Sequence, residues 1–300
     1  MRNKKRKSNS LWISLFAVLL VLILRQWPQI IPSSDDSIVD NERRTHKTHQ
    51  SQEPATPPAA SPSLSRDELQ LPKSRIHDFD AAKNELRKLF GRGREFYCDC
   101  SYDFTRKPNV DPGSCGLKSN SARAQRIEWE HVVPASFYGR QFAEWRKGDP
   151  SCTGRSRKGR ECARKASPVF RQIEGDMYNL QPSVGELNRV RGDTSYGDVP
   201  GEPREFGRCD FERFANKTEP RPEVRGDIAR IYFYMDARYP QFHIVNEENL
   251  KMLEEWAFSD PIDDAERTRL KKIEAVQGNS FFIGRLSVAS KDHPARGRSQ

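Results

Sequence analysis

Apolar positions recur at helical spacing from Ile76 and Phe79 through Leu86, Leu89 and Phe90, then stop at Gly91-Arg92-Gly93, which predicts a helix at that point. Phe96 to Asp103 reads as the first strand, carrying Cys98 and Cys100, and Pro112-Gly113 marks a turn before Cys115. From Ile127 the period changes to two. Ile127, Trp129, His131 and Val133 share one face of an extended segment, and Glu128, Glu130 and Val132 take the other, so neighbouring Glu130 and His131 point apart. Ser167-Pro168 reads as an N-cap and first-turn proline, opening a helix with Val169, Phe170, Ile173 and Met177 on one stripe. Ser183, followed three residues later by Glu186 with Pro182 just before it, predicts a capping box and a short helix that carries Asn188 and Arg191 and ends at Gly192. Val224, Ile228, Ile231, Tyr232 and Met235 make one stripe over Pro222–Tyr239, and two more helices follow at Asn249–Phe258 and Pro261–Val276. Phe137, Tyr138, Phe142 and Trp145 are aromatics of a core rather than bases for stacking. The pattern as a whole is α+β and mainly helical, one domain over residues 75–285.

Outside that range the pattern changes character. Five basic residues within Met1–Ser10 precede Leu11–Leu24, which carries no charge until Arg25, so residues 1–31 form a signal peptide or an uncleaved signal anchor that leaves everything after Arg25 exported. No small-x-small cleavage site follows cleanly, which favours the anchor and a membrane partner for residues 11–31. Residues 32–74 are rich in Ser, Pro, Thr, Asp and Gln and read as a disordered linker. His46 and His49 in it are assigned no role. Residues 286–300 form a basic tail.

Charge narrows the function classes. A net charge of +9 and a pI near 9.3 favour a polyanionic partner such as nucleic acid, or an anionic membrane surface, although a solubilising surface accounts for the same numbers. All six cysteines fall inside the candidate domain, with no Cys-x-x-Cys pair. Disulfides in an oxidising compartment account for them better than zinc, for which Cys98-x-Cys100 is poor spacing. Cys152 and Cys162 bracket the basic loop that holds Arg155, Arg157, Lys158 and Arg160. A bridge there would contribute roughly 2 to 3 kcal/mol by loop closure.

Three ordered motifs then carry a resemblance: Trp129-Glu130-His131-Val132-Val133-Pro134-Ala135; Asp176-Met177-Tyr178-Asn179-Leu180-Gln181-Pro182-Ser183-Val184-Gly185-Glu186-Leu187-Asn188; and Gly226-Asp227-Ile228-Ala229-Arg230-Ile231-Tyr232-Phe233-Tyr234-Met235. The chain resembles the bacterial endonuclease I family over roughly residues 85 to 285. The resemblance implies a ββα-metal (His-Me finger) nuclease. His131 is then the general base, Glu130 and Asn188 hold one divalent cation (Mg²⁺, or Mn²⁺ or Ca²⁺), and Arg160 meets the phosphate. Arg155, Arg157, Lys158 and Arg191 are the further substrate contacts expected, Arg164 and Lys165 extend the basic run, and Tyr178 stands where relatives often carry His. It implies disulfides Cys152–Cys162, Cys100–Cys115 and Cys98–Cys209, a monomer, and hydrolysis of DNA, with RNA a further candidate substrate, to 5′-phosphate ends with little sequence choice.

The residue types suit that chemistry. An imidazole near its ordinary pKa of about 6.5 takes a proton from water at neutral pH, hard oxygen ligands suit a hydrated cation, and a guanidinium forks onto phosphate. Each also has a plainer reading, since a Glu-His pair in a strand is often structural and Asn188 in a first helical turn can bond back to the backbone. A rival from another class is a membrane-tethered nucleic-acid-binding or uptake protein with this fold and little catalysis; loss of His131 would mark it, and His131 is present. A zinc peptidase is excluded because His-Glu-x-x-His does not occur.

Overall fold

The computed structural model describes residues 71–201 and 203–282. The signal segment, the basic tail and most of the expected linker lie outside that range. Among the described residues no helix is long and apolar enough to cross a membrane. Leu71–Ser74, expected in the linker, are held against the domain, because the Pro72 and Lys73 carbonyls accept hydrogen bonds from Arg238, and Pro72 a further one from Gln172.

Helix α1 (Phe79–Leu89) is capped by Asp78, whose carboxylate accepts from the Ala81 amide at 2.7 Å. It leads to a three-stranded antiparallel sheet, β1 (Arg92–Arg94), β2 (Ser101–Asp103) and β3 (Val110–Asp111). Only the end of the expected 96–103 strand is extended. The buried carboxylate of Glu95 explains the difference: it accepts from the backbone N–H groups of Tyr97 (3.2 Å), Cys98 (2.6 Å) and Cys100 (3.3 Å), which winds 95–100 into a turn. Val184 N donates to the same carboxylate at 3.3 Å, so the turn is pinned to a distant strand. Three disulfides brace the fold in the pairing expected from the resemblance: Cys98–Cys209, Cys100–Cys115 and Cys152–Cys162.

The central element is an antiparallel pair, β4 (Ile127–His131) and β5 (Leu180–Val184), in the register Glu128↔Ser183, Trp129↔Pro182, Glu130↔Gln181 and His131↔Leu180. Asn179 extends the pairing past the end of β4. Its side chain accepts from Val133 N at 2.7 Å and donates to Val133 O at 3.0 Å, while its carbonyl takes Val132 N. Short helices α2 (Ala135–Gly139), α3 (Ala143–Arg146), α4 (Arg160–Ala166) and α5 (Pro168–Glu174) connect the two strands in sequence. Ser167 caps α5 as expected, accepting from Phe170 N at 3.2 Å, but α5 stops at Glu174 and Met177 lies in a separate 3₁₀ turn.

Helix α6 (Gly185–Arg191) follows β5 without a linker and ends at Gly192, whose φ of 58° is a backbone conformation that glycine adopts without strain. The expected capping box does not form. Ser183 belongs to β5, because pairing with Glu128 needs extended backbone through Val184; its hydroxyl donates to Val184 O, and Glu186 pairs with Arg189 instead. Next come β6 (Ser195–Tyr196), β7 (Phe211–Phe214) and β8 (Lys217–Pro220), forming a small mixed sheet in the order β6-β8-β7.

Helices α7 (Arg225–Arg238), α8 (Glu247–Ser259) and α9 (Asp264–Gln277) close the core. Ile228, Ile231, Tyr232 and Met235 are buried as their stripe predicts, and Arg230 forks onto Glu266 at 2.8 and 2.6 Å to tie α7 to α9. Asp176 binds the segment before β5 to both helices, accepting from Tyr234 (2.9 Å), Tyr239 (2.8 Å) and Gln277 (2.9 Å). The whole is α+β and mainly helical, as the pattern predicts.

Removing the Glu95 carboxylate strands several buried N–H groups at once. Glu95→Ala is therefore expected to lower unfolding free energy by about 3 kcal/mol, measured by urea denaturation with the disulfides intact. A change below about 1 kcal/mol, the net worth of one ordinary hydrogen bond, would show that the turn does not depend on this side chain.

Candidate active site

A cleft of about 690 Å³ opens over β4, walled by α1, by α4 and by the C-terminal half of α6. Glu130, His131, Arg160 and Asn188 all line it, together with Phe79, Lys83, Arg87, Arg123, Glu128, Trp145 and Arg164. The period-two geometry of β4 does the sorting: Glu130 and His131 are consecutive, so they enter different surroundings.

His131 is 6% exposed, with its ring 4.7 Å from that of Phe79. Nε2 lies 2.9 Å from the Glu174 carbonyl. A carbonyl only accepts, so Nε2 carries the proton and Nδ1 keeps the lone pair. Arg160 Nη2 stands 3.3 Å from Nδ1. Burial, and then the Arg160 guanidinium, hold the imidazole down to about 3, well below the ordinary value expected from the sequence. The ring is thus neutral across the neutral pH range.

Glu130 faces the interior. Tyr97 donates to its Oε1 at 2.8 Å, and Arg191 Nη1 stands 3.4 Å from the same oxygen. Among the described residues no hydrogen bond reaches Oε2. Burial pushes this carboxyl upward, with the charge of Arg191 opposing. Arg191 is itself fully enclosed: it donates to the carbonyls of His131 (3.1 Å) and Val132 (2.6 Å), and its guanidinium lies 4.7 Å over the Tyr196 ring. It lines the cleft, as its expected role as a substrate contact requires, but from a buried position. A side chain nearly one turn beyond Asn188, on a helix this close to β4, points inward, and the acceptors it meets there are strand carbonyls.

Asn188 donates through Nδ2 to Glu128 Oε2 at 3.0 Å, which leaves Oδ1 as its unused acceptor. Arg160 and Arg164 converge on buried Glu174, through Arg160 Nε at 2.6 Å and Arg164 Nε and Nη2 at 2.7 Å each. Burial pushes the Glu174 carboxyl up, but the hydrogen bond from Arg164 and the charge of Arg160 outweigh it and hold the group below its ordinary value. Glu174 therefore orients His131 with its backbone and two arginines with its side chain.

Arg155, Arg157 and Lys158 do not reach this cleft. They sit on the exposed loop before α4, where Arg157 and Lys158 line a smaller hollow with Lys147 and Asp149. Tyr178 is also remote, its hydroxyl donating to Asn279 O among Tyr234 and Phe281. Sequence reasoning missed the wall formed by α1, although Phe79, Lys83 and Arg87 at spacings of four share one helical face. It placed Glu128 on the Glu130 face without giving it work. Glu174 left no signal, because its contact with His131 is through a carbonyl that every residue has.

The donor set fits a hard, hydrated cation. Glu130 and Asn188 line one cleft and bring carboxylate and amide oxygens to it as residue types, and no group of three or more His, Cys, Asp or Glu gathers among the described residues. Two protein oxygens with water in the remaining positions is how Mg²⁺ is commonly held, and it is unlike a zinc site.

Comparison with known proteins identifies the family. Residues 78–283 match the family model for endonuclease I. The chain is 37% identical to an extracellular deoxyribonuclease of Aeromonas hydrophila over 213 residues, which is 68% of this chain and 86% of the relative. It is 37% identical to a periplasmic deoxyribonuclease of the same organism, covering 67% of this chain and 83% of that protein. It is 39% identical to Endonuclease-1 of Buchnera aphidicola subsp. Acyrthosiphon pisum, covering 69% and 80%. The chain belongs to the endonuclease I family, and it is an endonuclease.

Buried Arg191 and an arginine of the exposed loop respond differently to truncation. Arg191→Met should cost about 3–5 kcal/mol, since it leaves the buried Glu130 carboxylate without its cation, and should lower the thermal midpoint by circular dichroism. Arg157→Ala on the exposed loop should leave that midpoint unchanged. Equal midpoints for the two variants would contradict the buried role.

Proposed function

We propose that the protein is an exported, metal-dependent DNA endonuclease of low sequence selectivity, with a ββα-metal site formed by β4, β5 and α6. The observation that carries this reading is the division of labour at the end of β4: His131 keeps a neutral, accepting Nδ1, its neighbour Glu130 keeps a carboxylate oxygen that no hydrogen bond reaches among the described residues, and both line one cleft with Asn188.

His131 acts as the general base. The Glu174 carbonyl fixes the ring and keeps the proton on Nε2, so a water at Nδ1 gives its proton to a correctly oriented lone pair. Arg160 covers Nδ1 until substrate arrives, and its side chain, 38% exposed, then turns its guanidinium to the phosphate and uncovers the base. Glu174 keeps Arg160 and Arg164 extended as a paired fork on the phosphate oxygens, a geometry that lysine does not reproduce. Glu130 Oε2 and Asn188 Oδ1 hold one divalent cation, taken as Mg²⁺. When bound, it supplies Lewis-acid stabilisation of charge on the scissile phosphate and leaving oxygen.

Lys83, Arg87 and Arg123 supply further positive charge along the cleft. Such contacts read phosphate rather than base edges, which supports low sequence choice, and hydrolysis at this site leaves 5′-phosphate ends. Export is supported by three disulfides and by the extracellular and periplasmic names of the relatives. The names of the relatives also favour DNA as substrate.

Plasmid DNA and a structured RNA, each incubated with and without EDTA, test the activity. DNA cleavage abolished by EDTA and restored by excess Mg²⁺ is expected, whereas binding without cleavage would indicate an uptake or binding protein. The roles separate in variants assayed against Mg²⁺ concentration. His131→Ala should lose about two to four orders of magnitude in rate at unchanged Mg²⁺ dependence, Glu130→Ala should be partly restored by raised Mg²⁺, and Arg160→Ala should weaken kcat/KM at unchanged metal affinity. A parental rate in His131→Ala would overturn the assignment.

A further inference from the structure

We propose that Glu128 is a positioning residue that decides which end of the Asn188 amide faces the cleft, and so whether α6 offers a cation an oxygen at all. The inference rests on the reading of Glu130 and Asn188 as cation ligands. An asparagine amide fits its space equally well in two orientations, one presenting oxygen and the other NH₂. Glu128 Oε2 accepts from Asn188 Nδ2 at 3.0 Å. An ionised carboxylate only accepts, so turning the amide over would set Oδ1 against a carboxylate oxygen and aim an NH₂ group, which ligates no cation, into the cleft.

Glu128 is locked in turn. Arg123 reaches it through Nε at 3.1 Å and Nη2 at 2.5 Å, and Arg126 reaches it through Nε at 2.9 Å and Nη2 at 2.8 Å. The fold also keeps space for it. A Cβ at Gly185, the first residue of α6, would lie 2.8 Å from Glu128 Oε1 and 2.9 Å from its Cδ, so the carboxylate occupies room that any other residue there would fill. Glu128 and Glu130 are two apart on one strand and project from the same face. One of them takes the amide nitrogen, which leaves the amide oxygen to the cation held by the other.

The test is Mg²⁺ affinity by calorimetry without nucleic acid, in a cycle of Glu128→Gln and Asn188→Asp. Glutamine offers an NH₂ of its own and removes the charge that fixes the amide, so Glu128→Gln is expected to weaken Mg²⁺ binding by about 10- to 100-fold, the usual effect of losing a ligand's orienting partner. The carboxylate that Asn188→Asp introduces has two equivalent oxygens and no orientation to choose. Glu128→Gln should therefore cost nothing in the Asn188→Asp background. An equal loss in both backgrounds would make Glu128 merely structural and overturn the inference. Asn188→Ala checks the premise: if it leaves Mg²⁺ affinity unchanged, the ligand assignment itself fails and the inference with it. The unsubstituted protein gives an independent reading, because an Asn188 Nδ2 proton bonded to Glu128 exchanges slowly with solvent by NMR, and fast exchange would overturn the proposal even if a variant failed to fold.

Discussion

The register of β4 against β5 is the constraint on which the site depends. With Glu130 opposite Gln181 and His131 opposite Leu180, these two neighbouring residues of β4 are fixed on opposite faces. A slip of one residue would exchange their surroundings, placing the imidazole beside Arg191 and the carboxylate beneath Arg160. Three features outside the strands guard the register. Asn179 continues the pairing beyond His131, Glu95 draws Val184 toward the disulfide-braced turn, and Arg191 clamps the His131 and Val132 carbonyls from α6.

The same economy appears in the acidic residues. Glu174 serves His131 through its backbone and Arg160 and Arg164 through its carboxylate, so the imidazole and the two arginines share one anchor at the end of α5. Glu130 uses one oxygen on Tyr97 and Arg191, and among the described residues no hydrogen bond reaches the other. A buried carboxylate beside a buried arginine contributes little net stability. Its value here lies in geometry, since it fixes the oxygen that remains.

Much of this was legible in the sequence where a side-chain pattern reports directly on backbone periodicity. The alternation through Ile127–Val133 foretold that Glu130 and His131 diverge, the Ser167-Pro168 pair located the start of α5, and the apolar stripe of α7 is buried as its spacing required. Misreadings arose where long-range contacts overrule local signals. Ser183 and Glu186 have the spacing of a capping box, yet strand pairing with Glu128 keeps Ser183 extended. Residues 96–100 carry strand-forming aromatics, but Glu95 collects their N–H groups into a turn. That Arg191 is buried against the His131 and Val132 carbonyls was not legible, because sequence carries no record of which helical face meets β4. The basic loop between Cys152 and Cys162 drew attention by its density of charge, whereas the cleft takes Arg160 from its end and Lys83 and Arg87 from a helix much earlier in the chain.

On this reading β4 and α6 together seat a divalent cation between Glu130 and Asn188, with His131 free beside it as base. Anomalous diffraction from crystals equilibrated with Mn²⁺ tests that arrangement most directly. One strong peak is expected within coordination distance, about 2.0–2.3 Å, of a Glu130 carboxylate oxygen and Asn188 Oδ1, with His131 uncoordinated. A peak on His131, or one at Glu174 with none between Glu130 and Asn188, would contradict it.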